Sequence, residues 1–182
     1  MLCSYKGKIL ISTPDISGDI FSRTVVLVID HNENGAFGLI LNKKNREASA
    51  SIGKILGSEI EIYKGGPVSG DHVFIIGKGV PVTENYINID SEYYLTEEIE
   101  AVIASLLEDK TGITDFKFFS GYSGWTSRQL EAEVEQKFWI VVELYNLDYT
   151  LPNNHNLWKS IMQNLGGEYL LWVNTPEDIS MN

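Results

Sequence analysis

A serine in a glycine-rich stretch is the residue of this sequence with the most familiar chemistry. Residues 121–124 read Gly-Tyr-Ser-Gly, which approaches the Gly-x-Ser-x-Gly turn that presents the nucleophile of a serine hydrolase. The last position of that pattern is Trp125 instead of glycine. Asp148 and His155 follow Ser123 in the order acid, histidine, but a chain of this size contains such a trio by chance. Covalent catalysis by Ser123 is therefore not favoured.

A run of polar residues, DHNENG at positions 30–35, has the spacing of a calcium-binding loop over its first half. The match covers four positions: Asp30, Asn32, Asn34 and Gly35. The twelfth position of an EF-hand loop should be a bidentate glutamate, and here it is Leu41. Without that carboxylate we expect no calcium site.

The histidines and the glycine pairs give no stronger sign of a metal or a cofactor. His31, His72 and His155 are far apart in sequence, and no cysteine accompanies them, unlike the ligand spacing of zinc sites. The segment Gly65-Gly66-Pro67-Val68 could present backbone amides to an anion. It lacks the Lys-Ser/Thr ending of a P-loop, so a Gly-Pro turn is favoured. We predict neither metal nor cofactor.

Composition and charge restrict the class of protein and of partner. The 182 residues are 43% hydrophobic, which predicts one domain over residues 1–182. A net charge of −11 disfavours direct nucleic-acid binding, because that affinity comes from Lys and Arg that neutralise phosphates. The single cysteine, Cys3, allows no internal disulfide, and no apolar run is long enough to span a membrane. We expect a cytoplasmic protein without a membrane segment.

Hairpin signals and short apolar runs predict the strands. Asn34-Gly35 is a strong hairpin signal, and it lies between the apolar segments 23–30 and 36–42. Segment 8–12 precedes this hairpin as a first strand. Further strands are expected at 59–63, 73–77, 86–89, 116–120 and 138–144. Because hairpins are antiparallel and the helices do not alternate regularly with strands, we predict an α+β fold with a mixed, strongly curved sheet.

Four helices are indicated by capping and periodicity. Thr96 can cap a helix over residues 96–110, with one buried stripe of Ile99, Val102, Ile103, Leu106 and Leu107. A capping box at residues 126–129, after a sharp turn allowed by Gly121 and Gly124, predicts a second helix. A third covers residues 156–165, and a short one lies near residues 52–56.

Taken together, these segments resemble the AlgH/YqgE family of bacterial proteins. The resemblance rests on motifs that occur in order along nearly the whole chain: residues 6–11, Pro14, Phe21, 23–27, His31-Asn32, Gly35-Ala36, Gly38-Leu39, Asn42, Gly65-Gly66-Pro67-Val68, Gly121-Tyr122, Gly124-Trp125, 129–131, Trp139 and Pro176-Glu177-Asp178. It implies helices around a bifurcated sheet that partly closes into a small barrel. Some relatives are described as transcriptional regulators, and the resemblance supplies no catalytic residues.

The polar and glycine positions of these motifs are the candidate site. As strand-end and turn residues, they are expected to line one groove for a protein or small ligand: Arg23, His31, Asn32, Asn42, Gly65, Gly66, Pro67, Trp125, Gln129 and Glu131. Arg23 is expected to pair with Glu131 or with an acidic ligand group. A regulatory or binding protein is the first hypothesis, with buried turn contacts as the simpler explanation of several positions. The alternatives are a hydrolase or transferase that uses His31 as acid or base, and a direct transcriptional regulator.

Overall fold

In a computed structural model, which describes residues 4–16, 19–50 and 60–175, nine strands form one connected sheet. The strands are β1 (Ile9–Ser12), β2 (Val25–Asn32), β3 (Gly35–Ile40), β4 (Ile62–Lys64), β5 (Val68–Lys78), β6 (Ile87–Asn88), β7 (Tyr93–Thr96), β8 (Phe116–Thr126) and β9 (Trp139–Val142). The hairpin predicted from Asn34-Gly35 is confirmed, because Asn32 pairs with Gly35 at the tip of β2 and β3.

The sheet is mixed and open, within an α+β domain. The strand order is β6-β7-β5-β8-β3-β2-β1-β9, and β4 pairs with β8 beside this path. All pairings are antiparallel except the parallel β4–β8 pair. Within the described chain, β6 and β9 lie at opposite ends and do not pair with each other, so closure into a partial barrel is not confirmed. The predicted mixed α+β class is confirmed.

The sheet forks along β8. Residues 118–120 of β8 pair with β4 on one edge and with β5 on the other. Beyond this point, residues 123–126 pair with β3 on the β4 side. Between β4 and β5 the chain must therefore cross over β8 from one edge to the other, and Gly65-Gly66-Pro67 makes that crossing.

Glycine is required at the crossing because two backbones touch there. A Cβ on Gly66 would overlap the carbonyl carbon of Tyr122, and a Cβ on Gly65 would overlap the carbonyl oxygen of Gly121. Gly121 itself has φ +66°, a left-handed conformation that favours glycine. The predicted sharp turn after residue 120 is wrong, because β8 continues through Gly121 to Thr126 beneath the crossing segment.

The described helices include α1 (Ile99–Leu107), α2 (Gln129–Glu135), α3 (Asn156–Leu165) and α4 (Tyr169–Val173). The third predicted helix is confirmed with its bounds as α3. The first begins later than expected because Thr96 is the last residue of β7, and its hydroxyl accepts the N–H of Glu98. Leu107 is 80% exposed, so its place in the buried stripe is wrong. The helix predicted near residues 52–56 lies outside the described residues.

Helix α2 also begins later than its capping box suggested. Thr126 still belongs to β8, and Arg128 takes a left-handed conformation at φ 61° before α2 starts at Gln129. Half of the predicted box is present, since Gln129 Oε1 accepts the N–H of Thr126 at 3.0 Å. The Thr126 hydroxyl lies near the same Gln129 oxygen, at 3.2 Å, instead of accepting from a helix amide.

Apolar side chains fill both faces of the sheet. One core combines β1, β2, β3 and β8 side chains with α3, through Trp158, Ile161 and Met162. A second core on the opposite face packs Trp125 and Trp139 around Leu130 of α2. Because side chains alternate along a strand, successive residues of β8 serve different faces.

Candidate functional site

The ten residues that the sequence places in one groove lie in three separate parts of the fold. Arg23 and Asn42 flank the start of β2 and the end of β3. The crossing segment 65–67 lies beside the middle of β8. The others surround the opposite end of the β2–β3 hairpin: His31, Asn32, Trp125, Gln129 and Glu131. Since β2 has eight residues, its ends are about 25 Å apart. One groove lined by all ten residues is not formed.

Asn42 and Arg23 have structural contacts at their end of the hairpin. The buried Asn42 amide accepts the N–H of Val25 at 2.9 Å and donates to the Arg23 carbonyl at 3.0 Å. The Arg23 guanidinium lies over the Trp158 ring, 5.1 Å from its centroid, and donates to the Thr175 carbonyl. For Asn42, the simpler explanation, satisfaction of buried backbone groups, is confirmed.

His31 is buried, and both of its ring nitrogens have partners. Nδ1 accepts the backbone N–H of Tyr5 at 2.9 Å, which leaves the ring proton on Nε2, 3.2 Å from Glu131 Oε1. The Tyr5 ring stacks on the imidazole at a centroid distance of 5.2 Å. His31 therefore connects the segment that contains Tyr5 to helix α2. A general base needs a ring nitrogen that is free to accept a proton from a substrate, so these contacts do not favour His31 as a catalytic acid or base. The expected Arg23–Glu131 pair is wrong, because the two residues lie at opposite ends of the hairpin.

Glu133 joins three other side chains into one corner, which sequence reasoning missed. Its Oε2 accepts the indole N–H groups of Trp125 and Trp139, each at 2.8 Å, and its Oε1 accepts from Gln129 Nε2 at 2.9 Å. Phe21 packs against both indoles at 6.4 and 5.6 Å. We call Trp125, Gln129, Glu133 and Trp139 the tryptophan corner. Its hydrogen bonds connect Trp125 and Gln129 with Trp139, three residues of the motif on which the family resemblance rests.

The serine of the opening motif is a strand residue. Ser123 is fully buried, and its Oγ donates to the Gly65 carbonyl at 2.9 Å, so it fastens the crossing segment to β8. Asp148 bonds instead to Lys78 at 2.7 Å and to Thr150. The trio of Ser123, Asp148 and His155 is therefore not assembled as a catalytic relay.

The DHNENG stretch forms the tip of the hairpin. Asn32 Oδ1 accepts the N–H of Asn34 at 2.9 Å, and Asn32 Nδ2 donates to Asp30 Oδ2 at 3.0 Å. Such side-chain contacts stabilise turns. With these contacts, Asp30 and Asn32 line the space beside β8, and the stretch is a hairpin turn rather than a calcium-binding loop.

That space is an open groove with an aromatic floor and a cavity volume of about 670 Å³. Three rings from three neighbouring strands meet in it: Phe74 of β5, Tyr122 of β8 and Phe37 of β3. Their centroids are 5.0 Å (Phe37–Tyr122), 5.4 Å (Phe37–Phe74) and 5.7 Å (Phe74–Tyr122) apart. Phe37 and Tyr122 are half-buried, so they keep apolar surface towards solvent.

An acid lies at each end of the aromatic floor. Asp30 of β2 pairs in register with Phe37. Glu97 directly follows β7, whose Thr96 pairs with Ile75, so that Glu97 continues the register opposite Phe74. Glu97, Phe74, Tyr122, Phe37 and Asp30 therefore lie on, or directly after, five neighbouring strands, with the three rings in one triangular cluster between the two acids. We call these five residues the aromatic row.

The aromatic row was missed because no local motif marks it. Its five residues come from segments spread over almost 100 positions, and only the strand order brings them together. The one available signal is at Phe37 and Tyr122, aromatic residues that neighbour the glycines of two motifs. Of the predicted site residues, Asn32 and Trp125 line the groove.

A buried lysine lies at the other end of β8. Lys117 is 3% exposed, and its Nζ donates to the carbonyls of Leu41 and Leu151 at 2.8 and 2.9 Å, 4.0 Å from the centroid of the Tyr63 ring. Burial lowers the pKa of the Lys117 ammonium to about 7, an effect that the charge of Glu61 partly opposes. The ammonium joins β8 to the end of β3 and to the loop before α3.

The family follows from comparison with known proteins. A family model described as AlgH-like matches residues 9–170. The chain belongs to the AlgH-like family. Among AlgH-like relatives, a UPF0301 protein of Cytophaga hutchinsonii is 32% identical over 182 residues, covering 97% of this chain and 98% of the relative. A UPF0301 protein of Parabacteroides distasonis is 33% identical over 180 residues, with 97% and 91% covered.

Solved structures share the AlgH-like fold. The solution structure of AlgH from Pseudomonas aeruginosa aligns with a TM-score of 0.69 at 23% identity, covering 97% of this chain and 96% of that one. A crystal structure of a Corynebacterium diphtheriae protein aligns with a TM-score of 0.72 at 23% identity, covering 93% and 91%. The resemblance that the sequence motifs indicated is thereby confirmed at the level of family and fold.

No helix in the three described ranges of the chain combines the length and the apolar composition needed to cross a membrane.

Proposed function

We propose that this AlgH-like protein is a cytoplasmic binding protein that exerts a regulatory role through a protein partner held at the aromatic row. The observation that carries the proposal is the open floor formed by Phe37, Phe74 and Tyr122 between two acids. Aromatic side chains that keep exposed surface are typical of protein recognition sites. The single cysteine, Cys3, allows no internal disulfide, which suits a reducing compartment such as the cytoplasm.

The chemistry of the remaining polar residues also supports binding over catalysis. Ser123 and His31, the two candidates for catalytic groups, are buried in contacts with the backbone or with Glu131. The groove itself contains acids, amides and rings, which suit recognition. Its two charged lining residues, Asp30 and Glu97, are both acidic, which makes it a poor surface for the phosphates of DNA.

Site-specific photocrosslinking tests the proposal in the native host. A benzophenone amino acid replaces Phe37, and a matched control carries it at Tyr145, which is 87% exposed and lies outside the groove. We expect protein adducts from position 37 that position 145 does not give. Adducts to nucleic acid alone, or the same adducts from both positions, would contradict the proposal, and a gel-shift at low salt checks DNA binding separately.

A further inference from the structure

The geometry points to a basic peptide segment as the occupant of the aromatic row, with two cationic side chains and apolar side chains between them. This inference rests on the proposed function and names the chemistry of the partner. Three properties of the row carry it: its charge, the placement of its two acids and its floor.

The charge of the row selects cations. Among the thirteen residues that line the groove, two are acidic and none is lysine or arginine. Glu97 is about half exposed, with 56% of its side chain accessible, and Asp30 is partly exposed at the opposite end. The chain as a whole carries a net charge of −11, so the surrounding field also attracts a basic partner and repels an acidic one.

His72 contacts two residues at one end of the row, Glu97 and Phe74. Its Nε2 lies 2.6 Å from Glu97 Oε2, and its ring lies 4.9 Å from that of Phe74. A cationic side chain of the partner would compete with this imidazole for Glu97. At the other end, Asp30 keeps one carboxylate oxygen, Oδ1, outside its hydrogen bond with Asn32.

The placement of the two acids indicates an occupant with two separated charges. Glu97 follows β7 and Asp30 belongs to β2, with β5, β8 and β3 between those two strands. A peptide segment with two separated cationic side chains can contact both carboxylates, whereas a small amine with a single charge contacts one.

The floor favours apolar side chains at the inner positions. Phe37 and Tyr122 are both half-buried, and their rings are 5.0 Å apart, so that a third ring could pack against their exposed edges. Gly124 lies beside them on β8, where a Cβ would approach the Tyr122 ring to 3.0 Å. The absence of a side chain at this position keeps the middle of the row shallow and open.

Binding of defined peptides, measured by fluorescence polarisation, tests the inference. The probe is the peptide Lys-Ser-Phe-Ser-Phe-Ser-Lys; the comparison peptides have glutamate at both ends or serine in place of both phenylalanines, and phenethylamine serves as the small cation. We expect the first peptide to bind about tenfold more tightly than the others, with affinity that falls as salt is added. Amide shifts in NMR spectra should concentrate at Phe37, Tyr122 and Gly124.

Charge-removing variants locate the contacts. Asp30→Asn and Glu97→Gln should each weaken the lysine peptide about threefold to tenfold. Glu135→Gln, on α2 against the opposite face of the sheet, should leave its affinity unchanged. Equal loss in all three variants would show a general effect of net charge and would overturn the assignment to the row.

The outcomes separate this inference from the proposed function. If the glutamate peptide, the peptide without phenylalanine or phenethylamine binds as tightly as the probe, the basic peptide occupant is overturned. If no peptide binds while position 37 still gives specific protein crosslinks, the inference fails and the proposed function stands. If both experiments fail, both are wrong.

Discussion

The two faces of β8 near its end differ in what they do with polar and aromatic groups. Towards α2, Trp125 packs in a core and donates its indole N–H to Glu133. Towards the aromatic row, Tyr122 and Gly124 meet solvent beside Phe37. Neighbouring residues of the Gly121–Trp125 motif therefore have different roles: Trp125 stabilises the core, and Tyr122 and Gly124 line the groove. The α2 face carries the hydrogen bonds of the tryptophan corner, while the other face keeps exposed apolar surface and is the one that we propose for recognition.

The largest effect is expected where the chain crosses β8, because both faces depend on that crossing. Gly66→Ala places a Cβ against the Tyr122 backbone, which side-chain movement cannot relieve. We expect a loss of about 4 kcal/mol or more in the free energy of unfolding, or failure to fold. Urea denaturation measures the loss, and Gly70→Ala, whose Cβ meets no atom within 4 Å, is the control. Equal stability of the two variants would show that the crossing is not tightly packed.

A smaller loss of stability is expected from a substitution that affects only the face of β8 towards α2. Glu133→Ala removes the acceptor of two indole N–H groups and of Gln129, and it leaves largely buried donors without partners. The expected cost is about 3 kcal/mol, against about 0.5 kcal/mol or less for Glu135→Ala, which is exposed on the same helix. Thermal and urea unfolding give both values. If Glu133→Ala costs no more than its control, the tryptophan corner is held by packing alone.

Lys117, on the opposite half of β8, should give stability a pH dependence. Its folded-state pKa of about 7 lies below its ordinary value of 10.5, so between these pH values the unfolded chain binds more protons. The free energy of unfolding should therefore rise with pH, by up to about 1.4 kcal/mol per pH unit from this group. Above about pH 10 the gain is offset, because burial raises the pKa of Tyr63 to about 12 and this tyrosine resists ionisation only when folded.

Urea midpoints measured from about pH 7 to about pH 9 check this slope. Lys117→Met should lose the rise, whereas Lys110→Met, at a side chain that is 71% exposed, should retain it. An unchanged slope in Lys117→Met would show that the buried ammonium keeps an ordinary pKa.

A substitution in the aromatic row should have the smallest effect on stability and the clearest effect on binding. Tyr122→Ser removes a half-buried ring and should cost about 1 kcal/mol of stability. Crosslinking from position 37 should nevertheless fall strongly, because the floor loses one of its three rings. A stability loss as large as that of Glu133→Ala, with crosslinking intact, would reverse the assignment of the two faces.

Local signals in the sequence predicted much of the fold and little of the site. Asn34-Gly35 specified the hairpin and the apolar period specified α3, because both depend on neighbouring residues. The sequence around Thr96 predicts a helix cap, but this residue ends β7, since a threonine suits both positions. The partnership of Glu133 with two tryptophans and the aromatic row both depend on strand order, which no short segment contains.

The position of β8 in the chain has a consequence for biosynthesis. This strand lies between β5 and β3 and also pairs with β4, yet it is translated after all three. Until residues 116–126 leave the ribosome, the edges of those earlier strands lack their central partner, and Phe119 and Leu39 have no completed core to enter. Sheet assembly must await this late insertion, so the nascent chain passes through a stage with open, apolar strand edges that favour association with chaperones or with other chains.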